Sequence, residues 1–157
     1  MSATGVVIEI QKSGVITFSA ETCVGCGTCE LMCALHHEGV GGPALARCRV
    51  LRDPFEAEYQ FITCQQCLAP SCYVACPNRD QALCIDERTG ARYIDEDLCV
   101  VAEECVRECP FEPSRVFQHP DKKVPYKCDL CKDREQGPIC VEYCPVSALT
   151  YVLAERR

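Results

Sequence analysis

Cys23-Val24-Gly25-Cys26-Gly27-Thr28-Cys29-Glu30-Leu31-Met32-Cys33 has the spacing C-x2-C-x2-C-x3-C. Three thiols two residues apart lie on a loop tight enough to wrap one corner of a cube of iron and sulfide. Gly25 and Gly27 relieve the backbone there, because such a loop needs unusual dihedrals and leaves little room for side chains. The fourth cysteine falls about one helical turn further on and points away from the first three. In runs of this kind it completes a different set. The stretch therefore predicts three cysteines elsewhere that lack their fourth.

Three more groups follow. The second is Cys64-x2-Cys67-x4-Cys72-x3-Cys76-Pro77, the third Cys99-x5-Cys105-x3-Cys109-Pro110, and the last Cys128-x2-Cys131-x8-Cys140-x3-Cys144-Pro145. Proline closes three of the four, and Ala34 stands in its place in the first. Proline there starts a helix or turn with a preset φ and asks for no amide hydrogen bond. This is an internal repeat. Val6-Val7-Ile8 and Val15-Ile16-Thr17-Phe18 are strand-like around a Lys12-Ser13-Gly14 turn. Glu30 to His37 reads as a short helix ended by Gly39 and the Gly41-Gly42-Pro43 breaker. Residues 44–62 hold an extended segment. Ala82–Asp86 and Ala91–Asp95 alternate around a turn as a hairpin, and Ala148–Val152 is a closing strand. Strand, cysteine run, short helix and strand, repeated, is the ferredoxin pattern. The expected fold is α+β: a single domain over 1–157 made of two interleaved ferredoxin-like halves. The outer half is about 15–60 plus 120–153, and the inner half about 61–119.

The totals narrow the chemistry. Of 157 residues 17 are cysteine, Trp is absent and aromatics are 7%, which is a poor basis for a large conventional core. Disulfides or metal sites must hold such a chain. An odd cysteine count excludes complete internal disulfide pairing. Residues 1–10 show no basic stretch followed by an apolar run and a cleavage site. No run approaches the roughly 18 apolar residues of a membrane span. The expectation is a soluble, cytoplasmic protein with reduced, metal-bound cysteines and no direct membrane insertion. The formal net charge is -7, and each all-cysteine cubane adds about two negative charges more. That argues against nucleic acid as a partner. Zinc would favour paired C-x2-C modules, whereas the longer runs with repeated Cys-Pro point to iron–sulfur.

With four groups in this order, the chain resembles the iron–sulfur electron-transfer subunits of the dimethyl-sulfoxide-reductase type. The likeness covers about residues 15–153. Its most specific parts are Cys64-Gln65-Gln66-Cys67-Leu68-Ala69-Pro70-Ser71-Cys72 and Lys127-Cys128-Asp129-Leu130-Cys131. Relatives serve tungsten or molybdenum oxidoreductases, hydrogenases, formate enzymes and carbon monoxide dehydrogenase. Cys29-Glu30-Leu31-Met32-Cys33-Ala34 looks like the version in soluble members. The short form is similar to the small subunits of tungsten aldehyde oxidoreductase and class II benzoyl-CoA reductase, enzymes of anaerobic metabolism.

The resemblance implies a crossed ligation scheme with three [4Fe-4S] clusters. Cys23, Cys26 and Cys29 would share one with Cys144. Cys128, Cys131 and Cys140 would share one with Cys33. Cys64, Cys67 and Cys72 would share one with Cys109. A fourth site departs from the pattern: Cys76, Cys99 and Cys105 remain, but Ala102 stands where a cysteine is expected, and the usual glycine is missing from that loop. It stays open whether this site is empty, holds a [3Fe-4S] cluster, or completes a [4Fe-4S] cubane with Glu103, Glu104 or water.

Outside these sets, Cys48 and Cys84 sit in strand-like apolar contexts and read as buried free thiols. His36, His37 and His119 read as solvated or hydrogen-bonding side chains. Lys122, Lys123 and Lys127 form a basic patch, and Asp95, Glu96, Asp97, Glu103 and Glu104 an acidic one. Both read as solvated faces. The sequence has no Gly-rich phosphate loop and no nucleophile motif, and all-cysteine clusters leave no open position for substrate. The expected role is an electron-transfer subunit, not catalytic on its own. It would relay single electrons between a catalytic tungsten- or molybdenum-pterin subunit and another redox partner. A free soluble polyferredoxin, or a subunit of a hydrogenase, formate or carbon monoxide dehydrogenase, is the alternative.

Overall fold

The computed structural model describes residues 10–53 and 55–156. The strand expected at Val6-Val7-Ile8 lies outside them. Strand β1 (Val15–Phe18) leads into the first cysteine loop and helix α1 (Thr28–Glu38). Gly27 enters α1 and Gly39 leaves it, both left-handed, and the Gly39 amide closes the last turn on the Leu35 carbonyl at 3.1 Å. The helix buries Glu30, Cys33 and Ala34, spaced three and four apart on one face.

Strands β2 (Cys48–Asp53) and β3 (Glu58–Thr63) form a hairpin with Cys48 opposite Thr63. Helix α2 (Ser71–Ala75) follows, then the hairpin of β4 (Leu83–Ile85) and β5 (Arg92–Ile94), then helix α3 (Glu104–Arg107). A small ladder of β6 (Phe117–Gln118) and β7 (Pro125–Tyr126) precedes helix α4 (Ile139–Glu142) and strand β8 (Leu149–Val152). β8 returns to pair antiparallel with β1, Phe18 opposite Leu149 and Val15 opposite Val152. The ends of the described chain are thus one ladder, and α1 packs on α4 while α2 packs on α3.

The apolar residues divide accordingly. One cluster joins Ile16, Val50, Phe61, Leu130 and Leu149 with the thiols of Cys33, Cys48, Cys64, Cys128 and Cys140. The other joins Tyr73, Leu83, Ile94 and Val116 with Cys105. Sulfur occupies positions where a conventional domain would place leucine, so what the thiols bind decides how well these clusters hold. Among the described residues, no helix is long and apolar enough to cross a membrane.

Candidate iron–sulfur centres

Four short helices hand out the cysteines by one rule. Residues i and i+4 on a helix lie one turn apart on the same face. α1 carries Cys29 and Cys33, α2 offers Cys72 and its C-cap Cys76, α3 offers Cys105 and then Cys109, and α4 offers Cys140 and then Cys144. Because α1 packs on α4 and α2 on α3, each helix gives one thiol to each of two neighbouring sites.

Three cavities are lined by these thiols. Cys23, Cys26, Cys29 and Cys144 line one. Cys64, Cys67, Cys72 and Cys109 line a second. Cys76, Cys99 and Cys105 line a third with Ala102, Glu103 and Glu104. Cys33, Cys128, Cys131 and Cys140 also converge. Burial pushes the Cys128 and Cys140 thiols far up, helped by the Asp129 charge at Cys128 and by Cys128 and Cys33 at Cys140.

Backbone amides are aimed at the sulfurs. The amides of Gly25, Gln66 and Leu130 donate to Cys23, Cys64 and Cys128, each at 3.4 Å and each two residues on. The fourth member of each set is served too: Arg47 N–H donates to Cys33, Arg115 N–H to Cys109 and Ala148 N–H to Cys144, all at 3.2 Å. Among the described residues, no amide of another residue reaches Cys76, Cys99 or Cys105. Donors pointed at sulfur suit thiolates that carry charge, so the three four-cysteine sets fit iron–sulfur clusters by donor chemistry as well as by number.

The first and the degraded loops trace the same path. Gly25 (φ 66) and Gly27 (φ 76) are matched by Val101 (φ 55) and Glu103 (φ 60) in Cys99-Val100-Val101-Ala102-Glu103-Glu104-Cys105. A β-branched residue at positive φ is strained. The glycine need at position 25 is steric as well, since a Cβ there would run into the Tyr59 ring.

The surroundings hold what the sequence did not reveal. Cys48 is a free thiol 2% exposed, as expected for a buried strand residue. Its neighbours were not expected: it lies beside Cys29 and Cys33, members of two different sets. That contact lowers Cys33 to about 5 and, with burial, raises Cys48 itself. Cys84 is only half-buried and donates to the Gln81 carbonyl at 3.1 Å. His37 lies 3.9 Å from Cys131 Sγ and 3.4 Å from the Asp129 carboxylate. Burial alone would lower its pKa, but contacts with Cys131 and Cys33 and the Asp129 charge raise it to about 9. His119 is buried, and its Nδ1 accepts the amides of Asp121 and Lys122.

The two charged patches are not two faces. Lys122 bridges Glu38 and Glu96, and Glu96 also meets Arg47. Lys127 is no solvated residue: it is 1% exposed, and its ammonium donates to the carbonyls of Arg92 and Cys128.

A small mixed helix–strand chain with four-thiol sets converging in its interior is, by class, an iron–sulfur electron carrier. Comparison with known proteins agrees. The 4Fe-4S dicluster domain matches residues 55–153. The polyferredoxin-like subunit of aliphatic sulfonate oxidoreductase from Pyrococcus furiosus is 37% identical over 87% of this chain and 74% of its own. The electron transport protein HydN of Escherichia coli is 30% identical over 87% and 86%. Among solved structures, the active-site complex BamBC of benzoyl coenzyme A reductase contains a chain 29% identical, with a TM-score of 0.51 over 88% of this chain and 76% of that one. The chain belongs to the 4Fe-4S dicluster domain family.

Proposed function

We propose that this chain is the electron-transfer subunit of a cytoplasmic tungsten- or molybdenum-pterin oxidoreductase, built as two interleaved ferredoxin-like halves. The outer half (about 15–60 and 120–153) holds the Cys23/Cys26/Cys29/Cys144 and Cys33/Cys128/Cys131/Cys140 ligand sets. The inner half (about 61–119) holds Cys64/Cys67/Cys72/Cys109 and the incomplete Cys76/Cys99/Cys105 site. When bound, the three [4Fe-4S] clusters accept and donate one electron at a time. The protein's part is to bury them, direct amides at their sulfurs and hold them in sequence.

The carrying observation is that each complete cavity draws three thiols from one run and the fourth from a distant one, with amides directed at the first and the last. The kinship with a polyferredoxin-like oxidoreductase subunit and with a chain of BamBC supports a catalytic partner.

We assign no cluster to the incomplete site. Ala102 binds no iron, the loop lacks glycine, and Glu103 and Glu104 stand beside a cavity that would have to hold an anion. The test of the partner is oxygen-free purification of the native complex with metal and cofactor analysis. Tungsten or molybdenum with a pterin is the expected result, and a complex without either overturns it.

A further inference from the structure

The three complete sets share their construction and differ in their walls. Apart from cysteines, the Cys23 cavity is lined by Phe18, Val50, Phe61, Leu149 and similar residues, with no charged side chain among them. Around the Cys33 set, charges cancel: Arg47 meets both Asp129 and Glu96, and Asp129 also faces His37. The Cys64 cavity is lined by three cations, Arg92, Arg115 and Lys127, and by no carboxylate.

Arg92 and Lys127 are fully buried, and Arg115 is half-buried. Arg92 is 0% exposed and gives Nη1 to Ser13 Oγ at 2.9 Å and to the Gly90 carbonyl at 3.1 Å. Lys127 spends its bonds on neutral carbonyls. Arg115 places its amide on Cys109 Sγ and its guanidinium over the Phe111 ring at 5.4 Å. Its Nε and Nη1 are buried and meet no acceptor among the described residues. Neither Arg115 nor Lys127 forms an ion pair with a described carboxylate. Buried cations are costly unless an anion stands near them, and a four-thiolate cluster with its net negative charge is such an anion.

We propose that Arg115 and Lys127 make the Cys64 set the most electron-attracting of the three, so that an electron entering the chain comes to rest there. This rests on the ligand sets proposed above. Reduction adds one negative charge, and fixed cations in a dry cavity favour the more negative state. Position agrees. Cys48 joins the first set to the second, and Gln66 Nε2, donating to the Cys128 carbonyl at 2.9 Å, joins the second to the third. Helices α2 and α3 lead from the third set to the three-thiol site of Cys76, Cys99 and Cys105. The step is one electron from a low-potential one-electron donor. The donor is oxidised by one, the Cys64 site is reduced by one, and no bond or proton moves.

The experiment is an EPR-monitored redox titration of the full chain, prepared without oxygen, beside Arg115→Gln and Arg115→Lys. Arg115→Gln is expected to weaken electron uptake at the highest-potential step about tenfold, which is about 59 mV. The other steps should stay within about twofold, and Arg115→Lys should recover most of the loss. Movement of a lower step instead, or of none at full iron content, overturns the proposal. If Arg115→Gln loses iron, Lys127→Met decides: the highest step must fall, and an unmoved highest step overturns it. Wild-type protein without clusters would instead overturn the ligand sets themselves.

Discussion

The Cys64 and Cys76 cavities are neighbours that share helices α2 and α3, and they differ in charge. The first has four thiols, amides aimed at Cys64 and Cys109, and three cations in its wall. The second has three thiols with Glu103 and Glu104 beside them, and its loop makes the left-handed turns of the first cysteine run on Val101 and Glu103 instead of glycine. The backbone cradle of a cluster site outlasts the chemistry that fills it. Shape is held by the packing of α2 on α3, which the Cys64 site needs in any case. The charge and the fourth ligand are held by nothing but the cluster.

The largest effect should come from emptying the complete sites. Stripping iron with a chelator in air is expected to abolish the cooperative melt followed by circular dichroism, because the apolar clusters are built around thiols. A native-like melt of iron-free protein would contradict this. Next, Cys109→Ala should remove about four irons per chain, while Cys99→Ala should remove none. Equal losses would erase the distinction between the two cavities. The converse change sharpens it. The triple variant Val101→Gly, Ala102→Cys, Glu103→Gly is expected to gain about four irons, since it restores a ligand, relieves two strained positions and removes a carboxylate.

Which of these features could be read in the sequence follows a physical line. The four groups, β1, the hairpin β4–β5 and the strand β8 were legible because spacing, alternation and turn residues are local. So was the alanine at position 102 within the third group. The roles of Arg115 and Lys127 were not, because a cation's meaning depends on what folds around it. Lys127 read as part of a basic face with Lys122 and Lys123, and only packing shows it buried beside Arg92. Cys48 likewise read as an ordinary strand residue. Its place between Cys29 and Cys33 depends on the Arg47 amide pinning the start of β2 over α1.

Smaller effects contrast structural with exposed charge. Glu30 is 3% exposed, accepting the Val50 amide at 2.9 Å and Arg52 Nη2 at 2.7 Å. Glu30→Ala should destabilise the loaded protein by about 2 kcal/mol, read as a lower Tm at full iron content. Glu104→Gln, which removes an exposed partner of Arg107, should leave Tm unchanged. Smallest is a pH effect. Burial would raise the Glu38 carboxyl, but hydrogen bonds from Lys122 and His119 outweigh it and hold the pKa below its ordinary value of 4.5. That stability is present above the unfolded pKa and fades as pH falls through the folded one. Lys122→Ala should therefore lower Tm slightly near neutral pH, with the difference narrowing below about pH 4.5.

The deciding measurement is iron and acid-labile sulfide per chain in protein purified without oxygen, with EPR of the oxidised sample. Three cubanes require about 12 of each and no oxidised three-iron signal. About 15 irons with that signal, or about 16 irons, would place a cluster at the Ala102 site and contradict it. Zinc in place of iron would contradict the whole electron-transfer assignment.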